Sequence, residues 1–200
     1  MELTESGQEG RRERKRRETH RRVTEAALGL FASQGYEATT LDAIAEAAGI
    51  ARRTFFHYFA SKEAILAAWQ SDLPEVFRDA LLNEPIDQSP LDAVLRVHLK
   101  LAAHYDDGQA IVIDRIIRSN AQLRAGNQAK YLHLEQVTAE ALHRLWPEPE
   151  RRNALRMVAM VSVGALRLAI ERWSEGEGRP PLTAHLRDAF ADLRTALSGV

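Results

Sequence analysis

Residues 41–59 read LDAIAEAAGIARRTFFHYF, and this stretch decides the fold. Leu41, Ile44, Ala45 and Ala48 recur at helical spacing. Thr39 and Thr40 stand in front as N-cap candidates, Asp42 supplies an acid for the first turn, and Gly49 stops the helix after about two turns. A second short helix follows from near Ala51 to Tyr58, with Phe55 and Phe59, four apart, on its core side. Small Ala45 and Ala48 let the two helices approach closely, and Gly49 can take the positive φ of a tight turn. Two short helices joined in this way, the second one basic, form a helix-turn-helix pattern. Arg52, Arg53, Thr54 and His57 are then left for the outer face, near the end that such motifs push into the major groove. Arginines there can pair bidentately with guanine O6 and N7, and Thr54 can meet a thymine methyl or a phosphate.

Outward from this stretch the period stays helical. Val23, Ala26, Ala27, Leu30 and Phe31 make one helix face, closed by Gly35. Ser61 caps a fourth helix carrying Ile65, Leu66 and Trp69, which Pro74 should kink or end. Ser89-Pro90-Leu91-Asp92 opens another, with His98 and Tyr105 on its apolar face. IVIDRIIR around Arg115, a long helix ending before Pro147, an apolar helix over residues 150–175 and a last one with Leu186, Phe190 and Leu193 complete the chain. No stretch alternates with period two for long enough to be a strand. The expectation is an all-α protein of about nine helices, divided as a basic, mobile arm (1–18), a helix-turn-helix domain (19–62) and a ligand-binding and dimerisation domain (63–200).

Composition narrows the function classes. The chain has 200 residues, 45% hydrophobic and 28% charged, with net charge −1 and no cysteine. Disulfides, thiolate metal sites and a cysteine nucleophile are excluded. No run of about 18 apolar residues is seen, so no membrane span is expected. MELTESGQEG lacks the apolar region of a signal peptide, and a cytoplasmic protein is expected. The near-zero charge hides an asymmetry: RRERKRRETHRR, residues 11–22, carries eight basic side chains against Glu13 and Glu18, a net of +6. A basic arm beside a nearly neutral body suits a nucleic-acid binder, or else is a solvated tail. Seven histidines are present without HExxH, a phosphate loop or G-x-S-x-G, so neither an enzyme, a metal site nor a cofactor is expected.

The series AALGLFASQGYEATT from Ala26, IAEAAGI from Ile44 and TFFHYFASKE from Thr54 strongly resembles the DNA-binding domain of TetR-family transcriptional regulators. The likeness covers roughly residues 19–69. It implies a homodimer on a palindromic double-stranded operator, repression as the usual mode, and a C-terminal helical domain that binds a small organic effector. Carried over by position, it implies phosphate contacts from Thr40, with Thr39 as an alternative, and from Tyr58 and Lys62. Base contacts fall to Arg52, Arg53 and Thr54, and His57 is a further candidate. Phe56 stands where many members have tyrosine and cannot donate to phosphate. The RRTFFHYF run and the Arg-Trp end of the long helix are similar to a subgroup that senses acyl-CoA-like molecules.

In the C-terminal part, Leu155, Ala159, Ser162, Leu166 and Ile170 form one stripe of the long helix, widened by Met157, Met160, Val161, Gly164 and Leu168. A helix apolar on more than one face is central or meets a partner. The resemblance implies that the last two helices pair with their symmetry mates, here through that first stripe with Leu186, Phe190 and Leu193. Trp69, His98, Tyr105 and Arg115 are the candidates for an apolar or amphipathic effector. The rival function is an all-α small-molecule or lipid-binding protein without DNA binding, which leaves the Arg52-Arg53-Thr54 face without a purpose.

Overall fold

Capping residues set the helix boundaries. Thr40 accepts from the Ala43 amide at 3.1 Å to open α2 (Leu41–Ala47), and Ser89 with Pro90 opens α6 (Pro90–Ala102). Asn120 accepts from the amides of Gln122 and Leu123 to start α8 (Ala121–Leu145). The other elements are α1 (Leu3–Gln34), α3 (Arg52–Phe55), α4 (Lys62–Ser71), α5 (Leu73–Leu82), α7 (Asp107–Ser119), a 3-10 turn (Pro149–Arg151), α9 (Arg152–Glu175) and α10 (Leu182–Ser198). The computed structural model describes residues 3–71, 73–103 and 107–198, without the side chains of 3–13, 69–71, 107 and 109. Among the described residues there is no strand, and the all-α expectation holds. Tyr105 and the Trp69 side chain lie outside them.

The chain divides into two compact units, Met1–Trp69 and Gln70–Val200. The first therefore takes α4 as far as Trp69, seven residues beyond the boundary expected at 62. The reason is local: Tyr36 donates to Glu63 at 2.7 Å, Lys62 Nζ donates to the Tyr36 carbonyl at 2.8 Å, and Ile65 and Leu66 are buried. The first helix begins at Leu3, so the basic run expected as an arm belongs to α1. Among its described side chains the buried ones are Thr19, Val23, Thr24, Ala27, Leu28 and Phe31; Ala26 and Leu30, expected in the stripe, are half-buried. The fourth helix ends at Ser71, just before Pro74, and Pro74 sits at the second position of α5, where no amide donor is needed.

In the second unit α9 is the central helix, packed against α6, α8 and α10, while α5 packs on α8 and α6. With the preceding turn it is long and apolar enough to cross a membrane by length and composition, contrary to the sequence expectation. Its Leu155, Ala159, Leu166 and Trp173 are instead core residues of this unit. The dimer stripe needs the same correction. Leu155, Ala159, Ser162, Leu166, Leu186 and Phe190 are buried within one protomer, and Ile170 and Leu193 are half-buried. The outward apolar positions of α9 are Met157, Met160 and Leu168, with half-buried Val161 and Gly164 between them. Apart from the neighbouring backbone of α9 itself, no atom of the described residues lies within 4 Å of where a Cβ on Gly164 would be, so no other described helix of its own protomer approaches that position closely. At the end of α5, buried Glu84 accepts from Lys100 Nζ and, at 3.3 Å, from Gln88 Nε2, with Arg96 at 3.8 Å, tying that end to α6.

Candidate nucleic-acid interface

The turn between α2 and α3 is held from three sides. Gly49, at φ +64°, donates to the Glu46 carbonyl at 2.9 Å, and Ile50 donates to the Ala45 carbonyl at 3.0 Å. These paired bonds form a Schellman motif, which needs glycine or asparagine at its left-handed residue. Arg22 of α1 adds a third tie by donating to the Ala48 carbonyl at 2.8 Å. Beneath α3, Phe55 and Phe59 are buried as expected, and the His20 ring stacks 4.4 Å from Phe59. The recognition helix is shorter than the sequence suggests: α3 ends at Phe55, and His57 and Tyr58 donate to carbonyls three residues back in a tighter turn.

This scaffold leaves Arg52, Arg53, Phe56 and His57 exposed, with Thr54 and Tyr58 half-buried. Arg52 donates to Asp42 Oδ2 at 2.7 Å. Thr40 is exposed, and its oxygen serves as the cap acceptor, a role that does not use its hydroxyl proton. Thr39 is a correction. Its side chain is buried, donating to the Gly35 carbonyl at 2.7 Å and accepting from Gln34 at 3.3 Å, so it closes the α1–α2 turn instead of facing outward. Lys62 also differs from the phosphate-binding expectation. Its ammonium donates to the Tyr36 and Glu37 carbonyls and lies 4.5 Å from the Tyr36 ring centre. The hydrogen bond from Tyr36 and the Lys62 charge hold the Glu63 carboxyl below its ordinary value, and burial pushes the Tyr36 hydroxyl up. The Arg22 tie, the Asp42–Arg52 pair and the Tyr36–Glu63 pair were not identified in the sequence, because nothing in their spacing marks contacts between separate elements.

Residues 23–69 match bacterial regulatory proteins of the tetR family, and residues 88–198 match the MftR C-terminal domain. Over 186 residues the chain is 31% identical to MftR of Mycobacterium tuberculosis, named for mycofactocin biosynthesis, covering 91% of this chain and 92% of that one. The chain belongs to the tetR family. This TetR-family regulator is also 39% identical to TcmR of Streptomyces glaucescens over 105 residues, which cover 52% of this chain and about half (46%) of TcmR. Solved structures share its fold. FadR of Thermus thermophilus, in complex with lauroyl-CoA, aligns with TM-score 0.59 and 24% identity over 90% of this chain and 94% of its own. FadR of Bacillus subtilis, in complex with stearoyl-CoA, aligns with TM-score 0.60 and 20% identity over 85% and 95%.

In the C-terminal unit of this TetR-family regulator the effector candidates separate. His98 is buried, its ring 4.5 Å from Phe77 and 6.0 Å from Phe190, and its Nε2 has no hydrogen-bond partner. Burial pushes its pKa down to about 3, so the ring is neutral. Arg115 is at the surface, 4.0 Å from Glu177, so it does not join His98 in one enclosed site. A cleft of about 170 Å3 between α7, α8 and α9 is lined by Arg118, Arg124, Arg167 and Tyr131 among others. Among the described residues no group of three His, Asp or Glu side chains is placed to hold a metal ion.

Proposed function

We propose that this regulator is a cytoplasmic repressor that binds a palindromic operator as a homodimer and leaves it when an acyl-CoA-like, amphipathic effector binds. The observation that carries the DNA reading is the exposed Arg52-Arg53 face on a turn fixed by Gly49 and Arg22. In this reading Arg52, Arg53 and Thr54 meet base edges, with His57 beside them. Thr40 and Tyr58 meet phosphates, and Lys62 steadies the frame behind them. The dimer forms through the outward stripe of α9, namely Met157, Met160, Val161, Gly164 and Leu168, in place of the stripe read from sequence. A contiguous exposed apolar stripe with a glycine in it suits a close crossing with its own symmetry mate.

The effector reading is supported by His98. An unpartnered buried nitrogen is disfavoured by about 1–3 kcal/mol, and a ligand group reaching it removes that penalty. The lauroyl-CoA and stearoyl-CoA complexes of proteins with the same fold suggest the chemical class. Fluorescence anisotropy on a duplex from the regulator's own upstream region tests the whole reading. Salt-dependent binding that is lost on adding a long-chain acyl-CoA is the expected result. Binding that is no stronger than to scrambled DNA would end the operator assignment, and release by no acyl-CoA would end the effector assignment.

A further inference from the structure

We propose that Asp42 is a specificity determinant of the DNA interface, a positioning residue that holds the Arg52 guanidinium so that its remaining donors read a guanine. The inference rests on the reading of Arg52 as a base contact. Asp42 lies in the first turn of α2 and Arg52 opens α3, so the Gly49 turn brings the two together. Asp42 Oδ2 accepts from Arg52 Nη1 at 2.7 Å, and the Arg52 guanidinium carbon lies 6.0 Å from the centre of the Phe56 ring. A carboxylate from one helix and an aromatic face from the turn after the other restrict an arginine that would otherwise sample many rotamers. The pair is exposed, 62% and 61% for the two side chains, and an ion pair so wet adds little to folding. Its effect is geometric.

The chemistry of the guanidinium makes that geometry useful. Asp42 takes a donor on Nη1 and leaves Nε and Nη2, a pair that fits the O6 and N7 acceptors of guanine. Phe56 offers the arginine a ring face and, lacking a hydroxyl, no competing acceptor. Asp42 also acts against wrong sites. Its negative charge repels the phosphate backbone wherever Arg52 finds no guanine to offset that repulsion. Orientation at the right base and repulsion at the wrong ones both raise discrimination.

The test uses a duplex selected from a random pool by the wild-type protein, and a scrambled duplex of the same composition, at one salt concentration. Affinities are measured for the wild type, Asp42→Ala, Asp42→Asn, Arg52→Ala and the double variant Asp42→Ala with Arg52→Ala. Asp42→Asn keeps the shape of the side chain and guards against any local change in α2. Both Asp42 variants should lower the ratio of selected to scrambled affinity about fivefold or more. Binding to scrambled DNA should rise, and the double variant should be no less discriminating than Arg52→Ala alone. Repeating the selection with Asp42→Ala should relax the same base position that Arg52→Ala relaxes. A normal ratio in both Asp42 variants, or losses that simply add to that of Arg52→Ala, would overturn the role of Asp42 while base reading by Arg52 stands. A normal ratio in Arg52→Ala would end both.

Discussion

At the residue scale, an imidazole lodged between Phe77 and Phe190 makes stability depend on pH. His98 is held down to about 3 by burial, against an ordinary 6.5. The unfolded chain gains this proton below about pH 6.5 and the folded chain does not. Stability from His98 is therefore full above that value and falls toward about pH 3, by about 1.4 kcal/mol per unit. The lowered carboxyls of Glu63 and Asp92 lose their contribution only in more acid solution, below their ordinary 4.5 and 3.8. Denaturant unfolding at about pH 7 and about pH 5 should show the slope, and His98→Phe should flatten it; an unchanged slope would assign it to other groups. On the DNA face, Arg53→Ala should cost about 1–3 kcal/mol at the operator and relax one base position. Equal losses on operator and random duplexes would remove Arg53 from the base contacts. The neighbouring threonines show what spacing alone leaves open. Thr39 and Thr40 are equally good caps on paper, and only burial separates the one closing a turn from the one facing outward.

At the scale of the element, the glycine turn was legible because a positive φ has few solutions, and Gly49 takes it at +64°. The length of α3 was not, since the tighter turn after Phe55 keeps Phe59 buried and satisfies the same hydrophobic spacing. In α9 the period was read correctly, but the stripe expected at a dimer seam is the one buried within its own unit. A helix apolar around much of its circumference does not record which side its own domain takes. The basic run of α1 is a separate matter, governed by counterion release. Deleting residues 1–17 should weaken operator binding most at low salt, with a shallower dependence of affinity on salt. Affinity unchanged at low salt would leave those residues without a DNA role.

At the scale of the whole molecule, two charge substitutions on one helix separate interface from core. Leu166→Glu places an ion among buried side chains and should unfold the protein or destabilise it by several kcal/mol, roughly 3 or more. Met160→Glu, at a position 50% exposed, should leave the helical circular dichroism and the fold intact. It should yield monomers by analytical ultracentrifugation that no longer hold the operator. A folded Met160→Glu dimer would refute the outward stripe as the seam.

That stripe also has a consequence for control. The dimer proposed through Met157, Met160 and Leu168, which are exposed in one protomer, would lose about 1.4 kcal/mol of association free energy with each tenfold dilution. At concentrations well below its dissociation constant, the population of dimers grows as the square of the protein made. With operators far from saturation, a halving of synthesis then lowers their occupied share by more than half, and the promoter responds more steeply than a single binding curve allows.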